Sequence, residues 1–262
     1  MSNLALSKKI IVFICVLFIC TPLSISADSL SYSSSRDHFS ISLPDGWIQM
    51  PQSVIDEAMQ FMKQQATDPM KIPQYFAGFQ REAETYFQYP YILMQRLDNS
   101  DGVSIEEVKK TFRQYGDDTL KKLDENLDII KNATLDDSPF IYQEKNAVLF
   151  NMITDVQGIG KVKSLSAMML GKNGIISLHF YSLENEYLND LPYFSSILDS
   201  FNYEDGYEYQ EPQSFWEQVA TKAVIGAIIG GVFALFGVIV KRNKKAAIAT
   251  SKDTKDSVIE NN

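Results

Sequence analysis

The chain carries two imidazoles, His38 and His179, and acid–base chemistry near neutral pH would centre on them. A hydrolase also needs a nucleophile held beside its base. No G-x-S-x-G elbow is present, and the two cysteines, Cys15 and Cys20, both lie in an N-terminal apolar run. On the strand expected over 175–181, Ile176, Leu178 and Phe180 share one face, so alternation sets His179 on the other with Ser177. A histidine so placed reads as a structural residue satisfied by water or a neighbour. The expectation is a non-enzyme with no catalytic residues, no cofactor and no metal.

Other short motifs support that reading. Gly158-Ile159-Gly160-Lys161 has neither the four-residue gap nor the Ser/Thr after lysine that a phosphate loop uses, and reads as a turn between strands. Asp98-Asn99-Ser100-Asp101-Gly102 starts like a calcium loop. It then lacks glycine at position six and has Lys109 where the bidentate glutamate belongs. Asp117-Asp118 and Asp136-Asp137 suit caps and turns. Asn132-Ala133-Thr134 fits the glycosylation acceptor pattern.

Charge narrows the partners. Between residues 28 and 217, 30 acidic side chains face 15 basic ones, so a phosphate backbone would be repelled and nucleic acid is not expected to bind. The 22 residues 241–262 reverse the balance, with six basic against three acidic.

The two ends predict topology. Lys8 and Lys9 precede an apolar run over 10–20, Pro22 breaks it, and Ser24-Ile25-Ser26-Ala27 supplies small residues, so 1–27 reads as a signal peptide cleaved after Ala27. Lipoprotein processing wants a small residue before its cysteine, and Ile14 and Ile19 stand there instead. Residues 223–240 contain no charge, and at ~1.5 Å per residue they reach ~27 Å, near the hydrocarbon thickness. Lys222, Lys241 and Arg242 flank this stretch, and Trp216 sits where an aromatic ring favours the headgroups. The expectation is one transmembrane helix with the basic tail 241–262 in the cytoplasm and the main domain outside or periplasmic. Gly226, Gly230 and Ala234 recur every fourth residue, giving a smooth strip for helix packing and possible self-association.

The elements between these ends belong to one domain, 28–201, followed by an acidic, tyrosine-rich stretch over 202–222 that reads as a juxtamembrane stalk. Ser29 to Ser35 reads as a flexible lead-in. Helical spacing covers 53–66 and begins again at a capping box, Ser104 with Glu107, with Val103 and Val108 as its staple. Gly116-Asp117-Asp118 is expected to interrupt that second helix. Strand runs follow over 147–156, 162–170 and 175–181, the last two joined by a hairpin loop at 171–174. A closing helix carries Leu191, Phe194, Ile197, Leu198 and Phe201, with Asp190 near its cap and Pro192 in its first turn. The order predicts an α+β domain, an antiparallel sheet flanked by helices.

Phe39-Ser40-Ile41-Ser42-Leu43-Pro44-Asp45-Gly46-Trp47 resembles the opening strand and turn of PsbP-like domains. The segment 188–201, ending Tyr193-Phe194-Ser195-Ser196-Ile197-Leu198-Asp199-Ser200-Phe201, is similar to their final helix. The resemblance spans roughly 33–201 and implies an antiparallel sheet between helical layers. It also implies a non-enzymatic role in binding or assembling larger complexes; the founding member serves photosystem II. Residues 223–240 depart from that member. The chain therefore reads as a single-pass binding or assembly module of the cell membrane, with membrane lipid and another envelope protein as partners. The alternative is a ligand- or cation-sensing ectodomain.

Overall fold

Strands joined by short turns pair with their neighbours, and here most of them join one large antiparallel sheet. The computed structural model describes residues 30–65, 73–98, 104–126, 129–210 and 223–229. In chain order these form β1 (Leu30–Ser34), β2 (Phe39–Leu43), β3 (Trp47–Gln49), α1 (Gln52–Gln65), β4 (Tyr75–Arg81), β5 (Tyr91–Asp98) and α2 (Ile105–Asn126). Then come β6 (Ile130–Leu135), β7 (Phe140–Tyr142), β8 (Ala147–Val156), β9 (Gly160–Leu170), β10 (Gly174–Leu183), α3 (Tyr187–Ser200) and β11 (Asn202–Tyr203). Residues 223–229 form a last described helix, α4. The large sheet runs β3-β4-β5-β10-β9-β8-β6, with β7 also on β8, and a small sheet runs β1-β2-β11. The α+β architecture expected from the sequence is the one observed.

The central strand β10 is buried on both faces. Its inner face, with Ile175 and Tyr181, joins Tyr91, Leu93, Phe150 and Met168 in one core. Its outer face, with Ile176, Leu178 and Phe180, joins Phe39, Ile41, Phe194 and Ile197 in another. A strand hidden on both sides needs a layer on each. On the outside that layer is α3 with the small sheet. Ser182 Oγ ties α3 down by donating to the buried Asp190 carboxylate at 2.6 Å.

On the inside α1 packs on β4, while α2 packs on β6 and β8. The strands between them are covered with the help of α4. Val224, Ala227 and Ile228 are buried in the inner core. Gly226 lies so close to β5 that a Cβ there would stand 3.0 Å from Leu97 Cδ2. On the other side, Ile228 Cδ1 comes within 4.0 Å of where a Cβ on Gly116 of α2 would be. Burying Val224 and Ile228 contributes about 1.5–3 kcal/mol each. Among the described residues no helix is long and apolar enough to cross a membrane. The rest of the apolar run, 230–240, lies outside them.

Several local expectations are corrected. The serine-rich lead-in is strand β1, paired with β2 from Leu30↔Leu43 to Ser34↔Phe39. Helix α2 passes through Gly116-Asp117-Asp118 without a break. Glycine inside a helix costs about 1 kcal/mol relative to alanine. Here its missing Cβ permits close packing on β6, since a Cβ would stand 3.1 Å from Leu135 Cδ1. Helix α3 starts at Tyr187, so Pro192 falls inside it and not in its first turn. The N–H that proline lacks would have bonded the carbonyl of Leu188, a residue 78% exposed, which water can satisfy instead. The stretch from Asn202, read as the start of a stalk, packs on the domain as far as it is described, for reasons given below.

The start of α2 follows the expected capping box. The Glu107 N–H donates to Ser104 Oγ at 3.2 Å, and the Ser104 N–H donates back to Glu107 Oε2 at 3.0 Å. Val103, its expected staple partner, is outside the described residues. Ser104→Ala is expected to lower stability by about 1 kcal/mol. Urea denaturation should show this as a lower midpoint with an unchanged slope.

Candidate functional site

The polar residues that face solvent together lie where the β1–β2 turn, β5, the β9–β10 loop and the chain after α3 converge. Arg36, Asp37, His38, Arg96, Tyr203 and Tyr207 line a small notch there. The turn is closed by Ser34 and Asp37. The Asp37 N–H donates to Ser34 Oγ at 3.2 Å, and that hydroxyl donates to Asp37 Oδ2 at 3.0 Å. The other Asp37 oxygen takes Arg96 Nη1 at 3.0 Å. With Asp37 nearly buried and Arg96 partly exposed, this pair fixes the turn to β5. Arg36 is exposed beside it.

His38 ends the turn in a left-handed conformation, with φ 54°. That region is uncommon for a residue with a side chain, so the surroundings must hold it there. Three contacts do. The His38 carbonyl accepts the Glu204 N–H at 2.8 Å, and the ring Nδ1 lies 2.8 Å from Glu204 Oε2. The imidazole stacks on Tyr207 with centroids 3.5 Å apart and planes 13° apart.

These contacts depend on the stretch after α3. Strand β11 pairs with β2 through Asn202↔Ser40 and Tyr203↔Phe39. Tyr203 packs against Gly171, where a Cβ would stand 2.5 Å from its ring, and its hydroxyl donates to the Met169 carbonyl at 2.8 Å. Burial pushes the Tyr203 phenol up. Lys172 N–H donates to the Tyr207 carbonyl at 3.0 Å, and Gly171 bridges to Glu208. Tyr203 belongs to the outer core and Tyr209 packs against the inner one, so this stretch rounds the end of the sheet. No local pattern announces this stretch, because a turn over Glu204 to Tyr207 interrupts any alternation and Tyr203 and Tyr209 pack on opposite cores.

His179 occupies a different place. It shares a face with Ser177, as alternation predicts, and that face is the buried inner one. Ser166 stands directly opposite on β9, and its hydroxyl lies 2.9 Å from His179 Nδ1. His179 Nε2 lies 3.4 Å from Gln95 Oε1 on β5. With Gln95 accepting, Nε2 carries the proton and Nδ1 accepts from Ser166. A serine beside an imidazole is the arrangement of an activated nucleophile. Both side chains are wholly buried, so no substrate reaches them in this conformation. Ser166 was findable by counting out from the 171–174 hairpin, which pairs 170 with 175 and so 166 with 179.

Of the expected membrane residues, Gly226 meets Leu97 of the domain's own sheet. Gly230, Ala234, Trp216, Lys222, Lys241 and Arg242 lie outside the described residues. Of Gly158-Ile159-Gly160-Lys161, the first two lie in the expected turn between β8 and β9, while Gly160 and Lys161 open β9. Asp117-Asp118 sits within α2, not at a turn, while Asp136 follows β6 and takes Lys163 Nζ at 2.6 Å. Among the described residues no three His, Cys, Asp or Glu side chains are grouped to hold a metal ion.

Burial lowers the His179 pKa from 6.5 to about 3. Between those values the unfolded chain takes up a proton that the folded protein refuses, so His179 makes folding less favourable as pH falls. The protein is expected to lose on the order of 1.4 kcal/mol per pH unit across that window relative to His179→Gln. Denaturation of both at matched pH values checks this; parallel pH profiles would show that His179 protonates inside the fold.

No family model matches the chain, and no curated protein matches it. Among solved structures, the fold is similar to that of cyanobacterial PsbP from Synechocystis sp. PCC 6803, a solution structure. The match has 14% sequence identity and a TM-score of 0.42, and covers 70% of this chain and 96% of that one.

Proposed function

We propose that the protein is a non-enzymatic binding or assembly module, held in a cell membrane by residues 223–240, with its domain outside or periplasmic. The domain engages another envelope protein through the notch around His38. The observation that carries this reading is the composition and rigidity of the notch. Two arginines and a stacked histidine–tyrosine pair stand together at the surface. Arginine and tyrosine are the side chains that most often anchor protein interfaces. Three of these four are positioned in advance: Arg96 by Asp37, His38 by Glu204 and Tyr207, Tyr207 by Lys172. A surface already ordered loses little entropy on docking. The strained backbone at His38 fits the same role, because strain collects where a surface is shaped for contact.

The membrane part rests on the uncharged length of 223–240 and its basic flank. The acidic balance of the domain favours a partner with a basic surface.

Crosslinking of the full-length protein in native membranes, followed by purification, tests the docking surface. The pair Arg36→Ala and Tyr207→Ala is expected to reduce recovery of the wild-type partner by tenfold or more, as loss of anchors worth about 2 kcal/mol does. Equal recovery of the same proteins by variant and wild type would remove the notch from consideration.

A further inference from the structure

The uncharged run 223–240 has two uses that its length does not allow at once. Its first seven residues, 223–229, are the helix that helps close the inner face of the sheet. With those residues seated, only the eleven residues 230–240 remain before Lys241. At ~1.5 Å per residue they reach ~16 Å, about half of the ~30 Å hydrocarbon layer. A bilayer can be crossed only if 223–229 leaves the domain.

The seat fits this helix. Val224, Ala227 and Ile228 are turned into the inner core, as positions three and four apart on one face must be. The contact side is cut to a residue without a side chain, because at Gly226 a Cβ would stand 3.0 Å from Leu97 Cδ2. On the opposite wall, α2 presents Gly116 toward Ile228. Small residues on both partners let helix and wall approach closely, the device by which helices pack in lipid as well. The twelve residues 211–222 between the notch and α4 can span at most about 40 Å, which is ample for α4 to depart while Tyr207 stays on His38.

We propose that the cleft between Leu97 of β5 and Gly116 of α2 is a helix-binding site whose occupant is the chain's own residues 223–229. Seating there and crossing a bilayer are alternative states of one segment. The domain carries its membrane helix docked, and insertion of 223–240 opens the cleft. This rests on the membrane reading of 223–240 given above. Gly226 is the discriminating position: lipid accepts any apolar side chain there, whereas in the cleft even a Cβ would stand 3.0 Å from Leu97 Cδ2, so a large side chain must displace that wall.

The test uses the full-length protein carrying both Leu97→Cys and Gly226→Cys, with Leu97→Cys alone as control. Cells are oxidised, membranes are washed with alkaline carbonate, and the 97–226 disulfide is identified by peptide mass spectrometry, which separates it from any bond to Cys15 or Cys20. Disulfide-linked chains are expected in the wash and reduced chains in the membrane pellet, with at least a tenfold difference in partition. In the otherwise wild-type protein, Gly226→Leu is expected to move chains from wash to pellet. Disulfide-linked chains that stay in the pellet as well as reduced ones would overturn the exchange, and so would absence of the 97–226 bond from every fraction. Both of those results leave the membrane reading standing if reduced chains pellet. If reduced chains and Gly226→Leu chains all wash off, the membrane reading fails and the exchange falls with it.

Discussion

A strand buried on both faces must be roofed on both, and β10 is such a strand. Its neighbours β5 and β9 share the condition, and the rest of the molecule is arranged to meet it. The outer roof is made by α3 and the small sheet, which is why the segment before β2 becomes a strand and why the chain returns after α3 to add β11. The inner roof has to come from three pieces. Helix α1 serves one side of the sheet, α2 the other, and the strands between them meet α4. An apolar segment that in isolation reads as a membrane helix is drawn in because the sheet leaves it a place.

The same constraint builds the candidate site. To go from the outer roof to the inner one, the chain after α3 rounds the end of the sheet past the β9–β10 loop. That path lays Tyr207 on His38 and Glu204 against its ring, and so creates the notch. Neighbouring residues of β5 look both ways. Arg96 lines the notch on one face, and Leu97 forms the wall of the α4 cleft on the other. Strand alternation alone puts the notch and the α4 contact back to back.

Much of the fold could be read from local signals. The strands β8, β9 and β10 announce themselves by alternation and by the Gly171–Gly174 turn, and the capping box marks the start of α2. Where the reading failed, a tertiary contact had overruled a local preference. Gly116-Asp117-Asp118 looks like a break, but the missing Cβ is what Leu135 requires. Ser31 and Ser33 look like linker until β2 pairs with them. The tyrosines from 203 to 209 look like stalk because nothing nearby in sequence shows them Gly171 and His38. The notch joins residues from four separate segments, and no local pattern connects Arg36, Arg96 and Tyr207. His179 was legible as a structural histidine on the face opposite Ile176, Leu178 and Phe180; the burial of that face needed the inner roof, and its partner Ser166 needed the register.

Hydrogen exchange of the full-length protein in aqueous buffer, free of detergent and lipid, tests most directly whether the chain's own helix closes the inner face. With α4 seated, Ala227 and Ile228 are buried in the inner core, and their amides should exchange slowly, on the timescale of the β10 amides. Exchange of those amides at the rate of the exposed turn around Gly206 would contradict the account, because it would mean that α4 does not close the inner face in water.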